Sequence, residues 1–236
     1  MRVLSIEVST SSCSIATLDG YKVMAEETWI QDRSRGQRLF SSMSKLLSCS
    51  GCRLEALDGF VVGIGPGAFS SLRMALSAAY AMALPDKKPV FGLSSAEVLA
   101  WTLAKEQGAA SVTVIGNARR EQLWIAHYDT SGQTPIAQGG FELLSSQDLT
   151  ARLPDHSLIA SPDWDSLADT LQRSVSKGTN LITGKVFPTA RATGILALEK
   201  CKHSAETLAK MAHSQAPLSP IYLHPATVAT PRPLSE

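Results

Sequence analysis

The chain has 236 residues, of which 44% are hydrophobic and 18% charged, and its formal net charge is +1. This length suits one large domain or two small ones, and with this near-neutral charge no broad basic field argues on its own for tight nucleic-acid binding. The N-terminus turns polar too early for a signal peptide, and no apolar run is long enough to span a bilayer. We therefore expect a cytoplasmic protein.

The first half of the chain alternates strand and helix patterns. Three strands are predicted in VLSIEVS, CSIATLD and YKVMAEETWI, with Gly20 in a tight turn between the last two. An amphipathic helix over QRLFSSMSKLL follows and ends at Gly51. LDGFVVGIG then predicts a strand, residues 69–84 a helix, PVFGLS a strand, and SAEVLAWTLAKEQG a helix that Gly108 ends.

The second half repeats a similar but weaker pattern. Strands are predicted in SVTVIGNA, QLWIAHYD and IAQGGFELL, weak strands in SLIAS and NLITG, and helices in SSQDLTARL, WDSLADTLQ, TARATGILALEKC and SAETLAKMA. Strands mixed with helices indicate an α/β architecture of two similar domains. We expect an N-terminal domain at 1–107, completed by a helix at 203–214, a smaller domain at 108–202 and an extended proline-rich tail at 215–236.

The segment GIGPGAFSSLRMA, residues 63–75, joins a strand to a helix. Gly65 and Gly67 permit backbone angles that other residues avoid, and the first N–H groups of the helix could bind an anion. The motif is neither GxxxxGK[ST] nor GxGxxG, so phosphate binding competes with the simpler reading of a tight turn. The alanine-rich helix that follows is either buried in its own domain or docked against a partner.

Other candidate groups are scattered. Ser9 and Thr10 lie in a hydroxyl-rich turn that could hold phosphate, and Glu7 just before it could bind a metal through water. Arg119 and Arg120 could grip an anion or simply line a solvated strand edge. No two histidines have the spacing of a helical metal pair, and the CSGC pair lacks the partners of a zinc site.

These segments, in this order, resemble the TsaB (YeaZ) family. Its N-terminal pattern of strand, Asp-Thr-Ser/Thr and small-residue strand is similar to LSIEVSTSSCSIATLDG, and its signature GxGPGSFTGLRIG is similar to GIGPGAFSSLRMA. GLSSAEVLA, NARREQLW and SPIYLHP match later family segments. The chain departs from the family at Glu7 for Asp, Arg35 for His, Ser71 for Gly and Asn117 for Asp, and Glu121 and Gln122 replace Gly-Glu.

The resemblance implies two actin-like (ASKHA, ribonuclease H-like) domains with mixed sheets flanked by helices. It implies a non-catalytic subunit without a cofactor, which supports TsaD in transferring threonylcarbamoyl to adenosine 37 of tRNA. TsaE belongs to the wider complex, tRNA is held indirectly, and the free chain is expected to form a homodimer. The helices around residues 36–50 and 69–84 would make the association surface, and the candidate contacts are Leu39, Phe40, Met43, Phe69, Ser70, Arg73, Leu76 and Tyr80.

Two other functions remain open from the sequence. One is a stand-alone ATP-binding phosphotransferase or ATPase of the actin-like class, with Glu7, Ser9, Thr10, Gly65 and Gly67 as a residual nucleotide site. The other is a glycoprotease-like metallopeptidase, which no metal pair or nucleophile in the sequence supports.

Overall fold

The computed structural model describes residues 1–31, 35–175 and 180–224, except for the side chains of residues 35–37. It confirms the α/β class, with two mixed sheets flanked by helices. The strands are β1 Arg2–Glu7, β2 Ser12–Asp19, β3 Lys22–Ile30, β4 Gly59–Gly63, β5 Val90–Leu93, β6 Ser111–Arg119, β7 Gln122–Asp129, β8 Ile136–Ala137, β9 Glu142–Ser145 and β10 Leu158–Ala160. The helices are α1 Arg35–Ser50, α2 Phe69–Ala83, α3 Ser95–Gln107, α4 Leu149–Arg152, α5 Trp164–Ser174, α6 Ala190–Lys200 and α7 Ala205–Ser214.

The first sheet has the strand order β3-β2-β1-β4-β5. Strands β1 to β3 form an antiparallel meander, whereas β4 and β5 run parallel to β1 after crossovers through α1 and α2. The central strands β1 and β4 are buried on both faces, which explains their nearly continuous apolar sequences. Their carboxyl ends meet at the same edge of the sheet and carry the glycine turn of the predicted motif.

Helices cover both faces of the first sheet. Helices α1 and α2 seal one face, in an apolar cluster that includes Leu4, Ile6, Ile15, Leu39, Phe60 and Leu76. Helices α6 and α7 cover the other face, together with Val3, Leu18, Val61 and Phe91. Helix α6 lies very close to the sheet, because a β-carbon on Gly194 would be 2.6 Å from a methyl carbon of Leu18.

The second sheet has the order β10-β6-β7-β8, and β9 also pairs with β7. Helix α3 lies between the two sheets: Val98 and Trp101 pack toward the first, while Leu99 and Leu103 pack toward the second. Helices α4 and α5 cover the opposite face of the second sheet through Leu149, Leu167 and Leu171. The two sheets therefore share one buried helix.

Most predicted elements are confirmed, and three differ in detail: IAQGGFELL, NLITG and SSQDLTARL, the last of which forms only the short helix α4. IAQGGFELL forms two short strands, β8 and β9, on either side of Gly139 and Gly140. NLITG contributes only an isolated bridge between Leu181 and Ile159. Residues 215–224 of the predicted tail are extended without helix or strand, and residues 225–236 lie outside the described residues.

The domain division stays a prediction. Since α6 and α7 both pack on the first sheet, we propose that the first unit comprises residues 1–107 together with α6 and α7. Along the described ranges, no helix is long and apolar enough to cross a membrane.

Candidate functional site

The glycine turn lies where the carboxyl ends of β1 and β4 meet the start of α2. Gly65 has a φ of 94°, in the region that favours glycine, and a β-carbon there would be 2.8 Å from a methyl carbon of Leu72. A β-carbon on Gly67 would overlap the backbone of Ser9. Both glycines are thus required by close contact with neighbouring groups of the protein, Leu72 for Gly65 and the backbone of Ser9 for Gly67.

Two N–H groups of this turn, those of Gly65 and Ala68, are paired within the protein. The N–H of Ala68 donates to the carbonyl of Ser9 at 2.9 Å. The N–H of Gly65 donates to Ser95 Oγ at 3.1 Å, and its carbonyl accepts from the Ser95 N–H at 2.8 Å. These two N–H groups are consequently not available to a phosphate.

Glu7 is fully buried at the end of β1. Its Oε1 accepts from the N–H of Ser9 at 2.9 Å, and its Oε2 accepts from Ser95 Oγ at 2.9 Å. Burial raises the pKa of Glu7, while these hydrogen bonds act in the opposite direction. The side chain of Glu7 is one carbon longer than the Asp of the family pattern. Its carboxylate packs against Gly63, where a β-carbon would overlap it.

The space between the two sheets at this turn is nearly filled. A cavity of about 10 Å³ remains, lined by Ser9, Thr10, Pro66, Ser95, Ala96, Leu99, Trp124, Pro162 and Pro188. Small-molecule sites enclose about 300–1,000 Å³. The nucleotide role of Glu7, Ser9, Thr10, Gly65 and Gly67 stays a prediction, and this closed arrangement does not favour it.

The hairpin between β6 and β7 presents the predicted arginine pair to solvent. Arg119, Arg120 and Glu121 are all exposed and all have positive φ, of 66°, 50° and 60°. Asn117 shapes the turn: its side-chain oxygen accepts from the Arg119 N–H, and its own N–H donates to Asp163 at 2.8 Å. Burial raises the pKa of Asp163, although this hydrogen bond acts in the opposite direction.

Helix α2 has one buried and one exposed face. Ala75, Leu76, Ala78 and Ala79 are buried in the cluster against the first sheet. The other face, here called the association stripe, comprises the exposed residues Phe69, Ser70, Arg73, Ser77, Tyr80 and Leu84. It contains large apolar side chains, with Phe69 45%, Tyr80 42% and Leu84 76% exposed. Exposed apolar groups in one row indicate an interaction surface.

The candidate contacts therefore divide into two groups. Phe69, Ser70, Arg73 and Tyr80 lie on the stripe, and Phe40 of α1 is 52% exposed. Leu39, Met43 and Leu76 are buried against the first sheet, with 1%, 6% and 5% exposure. Their role as partner contacts stays a prediction, but in this structure they pack helices α1 and α2 against the first sheet.

Sequence reasoning missed two exposed side chains near this surface. Leu84 lies one helical turn beyond Tyr80, and the i, i+4 spacing could have revealed it. Tyr222 lies beside Phe69, with ring centroids 5.3 Å apart, and no local pattern signals this long-range contact. Within the described residues, no group of three or more His, Cys, Asp and Glu side chains could hold a metal ion.

Comparison with known proteins agrees with this geometry. A family model described as TsaD, tRNA N6-adenosine threonylcarbamoyltransferase, matches residues 22–152, more than half of the chain. The Escherichia coli (strain K12) protein named tRNA threonylcarbamoyladenosine biosynthesis protein TsaB is 29% identical over 128 residues, 54% of this chain and 55% of that protein. The Haemophilus influenzae protein of the same name is 26% identical over 127 residues, 53% of each chain. The chain thus spans about half the length of the curated relatives it matches.

Structural comparison covers more of the molecule. The solved structure of YeaZ from Pseudomonas aeruginosa superposes with a TM-score of 0.74 at 23% identity, covering 94% of this chain and 99% of that one. The two mixed sheets, with α3 between them, define an α/β protein of the actin-like class. The chain belongs to the TsaD family, among its TsaB (YeaZ) proteins.

Proposed function

We propose that the chain is a non-catalytic partner subunit of tRNA threonylcarbamoyladenosine biosynthesis. It binds TsaD and supports the transfer of threonylcarbamoyl to adenosine 37 of tRNA. The relatives named for this pathway support the setting. The observation that carries the partner role is the association stripe on α2, where Phe69, Tyr80 and Leu84 expose apolar surface in one row.

The physical argument for a docking role is the cost of leaving such a row in water. Each exposed apolar side chain gains about 25 cal/mol per Å² when it is removed from water. Aromatic residues and Arg are enriched at protein interfaces, and Arg73 holds its guanidinium 5.2 Å from the centre of the Phe69 ring. The same stripe would cover itself by self-pairing in the absence of TsaD, which gives a homodimer of the free chain.

TsaE belongs to the wider complex, and tRNA is held mainly by the partners, because the net charge of this chain is only +1.

The alternative of a stand-alone ATP-dependent phosphotransferase receives little support from the glycine turn. The N–H groups of Gly65 and Ala68 are paired internally, and Glu7 is hydrogen-bonded inside the protein rather than directed into an open cleft.

The experiment is size exclusion with light scattering of the chain mixed with the TsaD of the same organism. We expect a one-to-one complex for the wild type and its loss in Tyr80→Glu, which places a charge in the stripe. Ile136→Glu is the matched control, because Ile136 is 62% exposed on β8 of the second sheet. A complex that survives Tyr80→Glu would contradict the assignment of the stripe, and no wild-type complex would contradict the function.

A further inference from the structure

Residues 215–224, here called the strap, follow α7 and cross the molecule without helix or strand. Gln215 fastens the strap to β5, the edge strand of the first sheet. Its side-chain oxygen accepts from the N–H of Gly92 and its side-chain nitrogen donates to the Gly92 carbonyl, both at 2.9 Å. This amide thus imitates a neighbouring strand and satisfies part of the open edge.

The middle of the strap runs from β5 to the glycine turn. Leu218 packs into the apolar cluster under α1 and α2, and a β-carbon on Gly92 would be 2.6 Å from one of its methyl carbons. The N–H of Ile221 donates to the carbonyl of Ile64 at 2.9 Å. Since Ile64 lies a few residues before α2, the strap arrives at the start of the association stripe.

Tyr222 then stands beside that stripe. Its ring centroid is 5.3 Å from that of Phe69, with the planes inclined by 43°. Both rings are about half exposed, at 53% for Tyr222 and 45% for Phe69. Together with the guanidinium of Arg73 over the Phe69 ring, they form a continuous aromatic and cationic surface built from two distant parts of the chain.

The end of the strap reaches the second sheet. Leu223 packs against the cluster that α3 shares with this sheet. His224 Nε2 lies 2.6 Å from the carbonyl oxygen of Ala118 and donates to it, just before the exposed arginines of the β6–β7 hairpin. One short segment therefore contacts the first sheet, the stripe and the second sheet in succession.

We propose that the strap is part of the surface that receives the partner, with Tyr222 contacting TsaD beside Phe69. This rests on the proposed function, because the occupant is argued from continuity with the stripe. Interface energy concentrates in a few aromatic and Arg side chains, and Tyr222 doubles the aromatic area at this end of the stripe. Partner contact on Tyr222 also holds the strap against Ile64 and Ala118.

The test is calorimetric titration of the TsaD of the same organism into the wild type, Tyr222→Ala, Tyr222→Phe and Tyr21→Ala. Tyr21 is the matched control, since it is 52% exposed and packs on His203 instead of the stripe. We expect Tyr222→Ala to raise the Kd for TsaD by about tenfold or more. Tyr222→Phe retains the ring, so its Kd should stay within about threefold of the wild-type value. The Kd of Tyr21→Ala should do the same.

Hydrogen exchange of the wild type gives a second readout that needs no variant. The Ile221 amide, which donates to Ile64, should exchange more slowly when TsaD is bound. Unchanged exchange there and an unchanged Kd for Tyr222→Ala would overturn this proposal while leaving the proposed function intact. Absence of wild-type binding would overturn both. A homodimer weakened by Tyr222→Ala, with unchanged affinity for TsaD, would show that the strap faces a second copy instead.

Discussion

The hydroxyl oxygen of Ser95 lies 2.9 Å from Oε2 of Glu7, and this hydrogen bond joins the first residue of α3 to the last residue of β1. The same hydroxyl accepts from the N–H of Gly65 at 3.1 Å. One side chain thus ties together the end of β1, the glycine turn and the helix between the sheets. The turn is a closed polar network that positions α2.

Glu7→Gln should change how stability depends on pH. Burial raises the folded-state pKa of Glu7, so between the ordinary carboxyl pKa and this raised value the folded state holds a proton that the unfolded state has released. The free energy of unfolding of the wild type therefore falls as pH rises through this window, by at most about 1.4 kcal/mol per pH unit. The glutamine variant lacks this decline.

The measurement is urea unfolding of the wild type and Glu7→Gln from acidic to alkaline pH. Glu26→Gln, which removes an exposed carboxylate on β3, controls for the change in net charge. The stability difference between Glu7→Gln and the wild type should shift in favour of the variant as pH rises. Parallel profiles for the two proteins would mean that the buried carboxyl is not linked to folding.

Gly67→Ala should destabilise the protein strongly. The added β-carbon would overlap the backbone of Ser9, which is itself held by hydrogen bonds to Ala68 and Glu7 and cannot move aside cheaply. We expect a loss of about 3 kcal/mol in the free energy of unfolding, at the upper end of ordinary substitutions. Gly140→Ala, where a β-carbon meets open space, should stay within about 0.5 kcal/mol. Similar urea midpoints for the two variants would contradict this packing.

Leu76 and Tyr80 should separate stability from partner binding. Leu76→Ala removes a core side chain with 5% exposure and should lower the free energy of unfolding by about 2–5 kcal/mol. Tyr80→Ala, on the exposed face of the same helix, should lower it by about 1 kcal/mol or less but weaken TsaD binding. Thermal melts and titration calorimetry check both effects. A Tyr80→Ala variant with the larger loss of stability would contradict the assignment of faces.

Glu121→Gly should stabilise the protein. Glu121 has a φ of 60° in the two-residue turn between β6 and β7 and is exposed, so its side chain adds strain without burial. Glycine adopts this conformation without the steric penalty of a β-carbon. This relief of strain outweighs the greater conformational freedom of glycine in the unfolded chain and should raise the free energy of unfolding by about 0.5–1 kcal/mol. Differential scanning calorimetry should show a higher Tm, and a lower Tm would indicate that the glutamate makes a stabilising interaction.

The elements of the fold that can be predicted are those whose sequence pattern is local. Helices α2 and α3 and the strands of the first sheet were predicted within a residue or two, because periodicity and turn residues mark them directly. Phe69, Leu76 and Tyr80 were predicted together as contacts of one association surface, but only Phe69 and Tyr80 are exposed, whereas Leu76 packs against the first sheet. Burial therefore separates Leu76 from Tyr80, since the helical period gives an angle and not the position of the neighbouring element.

The surroundings of the glycine turn show the other limit. That Glu7 turns inward to Ser95 depends on a hydroxyl far along the chain, and no spacing in the sequence encodes it. The strap is harder still, because an extended proline-containing segment has no periodicity to interpret. Its contacts, from Gln215 to Gly92 and from Tyr222 to Phe69, exist only after β5 and α2 have formed.

The packing of α6, α7 and Leu218 on the first sheet has a consequence for synthesis of the protein. The five strands of that sheet are complete by Leu93, yet the helices that cover Val3, Leu18 and Val61 begin at Ala190. While the residues after α3 are being translated, this apolar face of the nascent sheet is covered only in part, by Val98 and Trp101 of α3. Folding of the N-terminal unit must therefore wait until α6 and α7 have been translated, and until then part of this apolar face stays exposed to water.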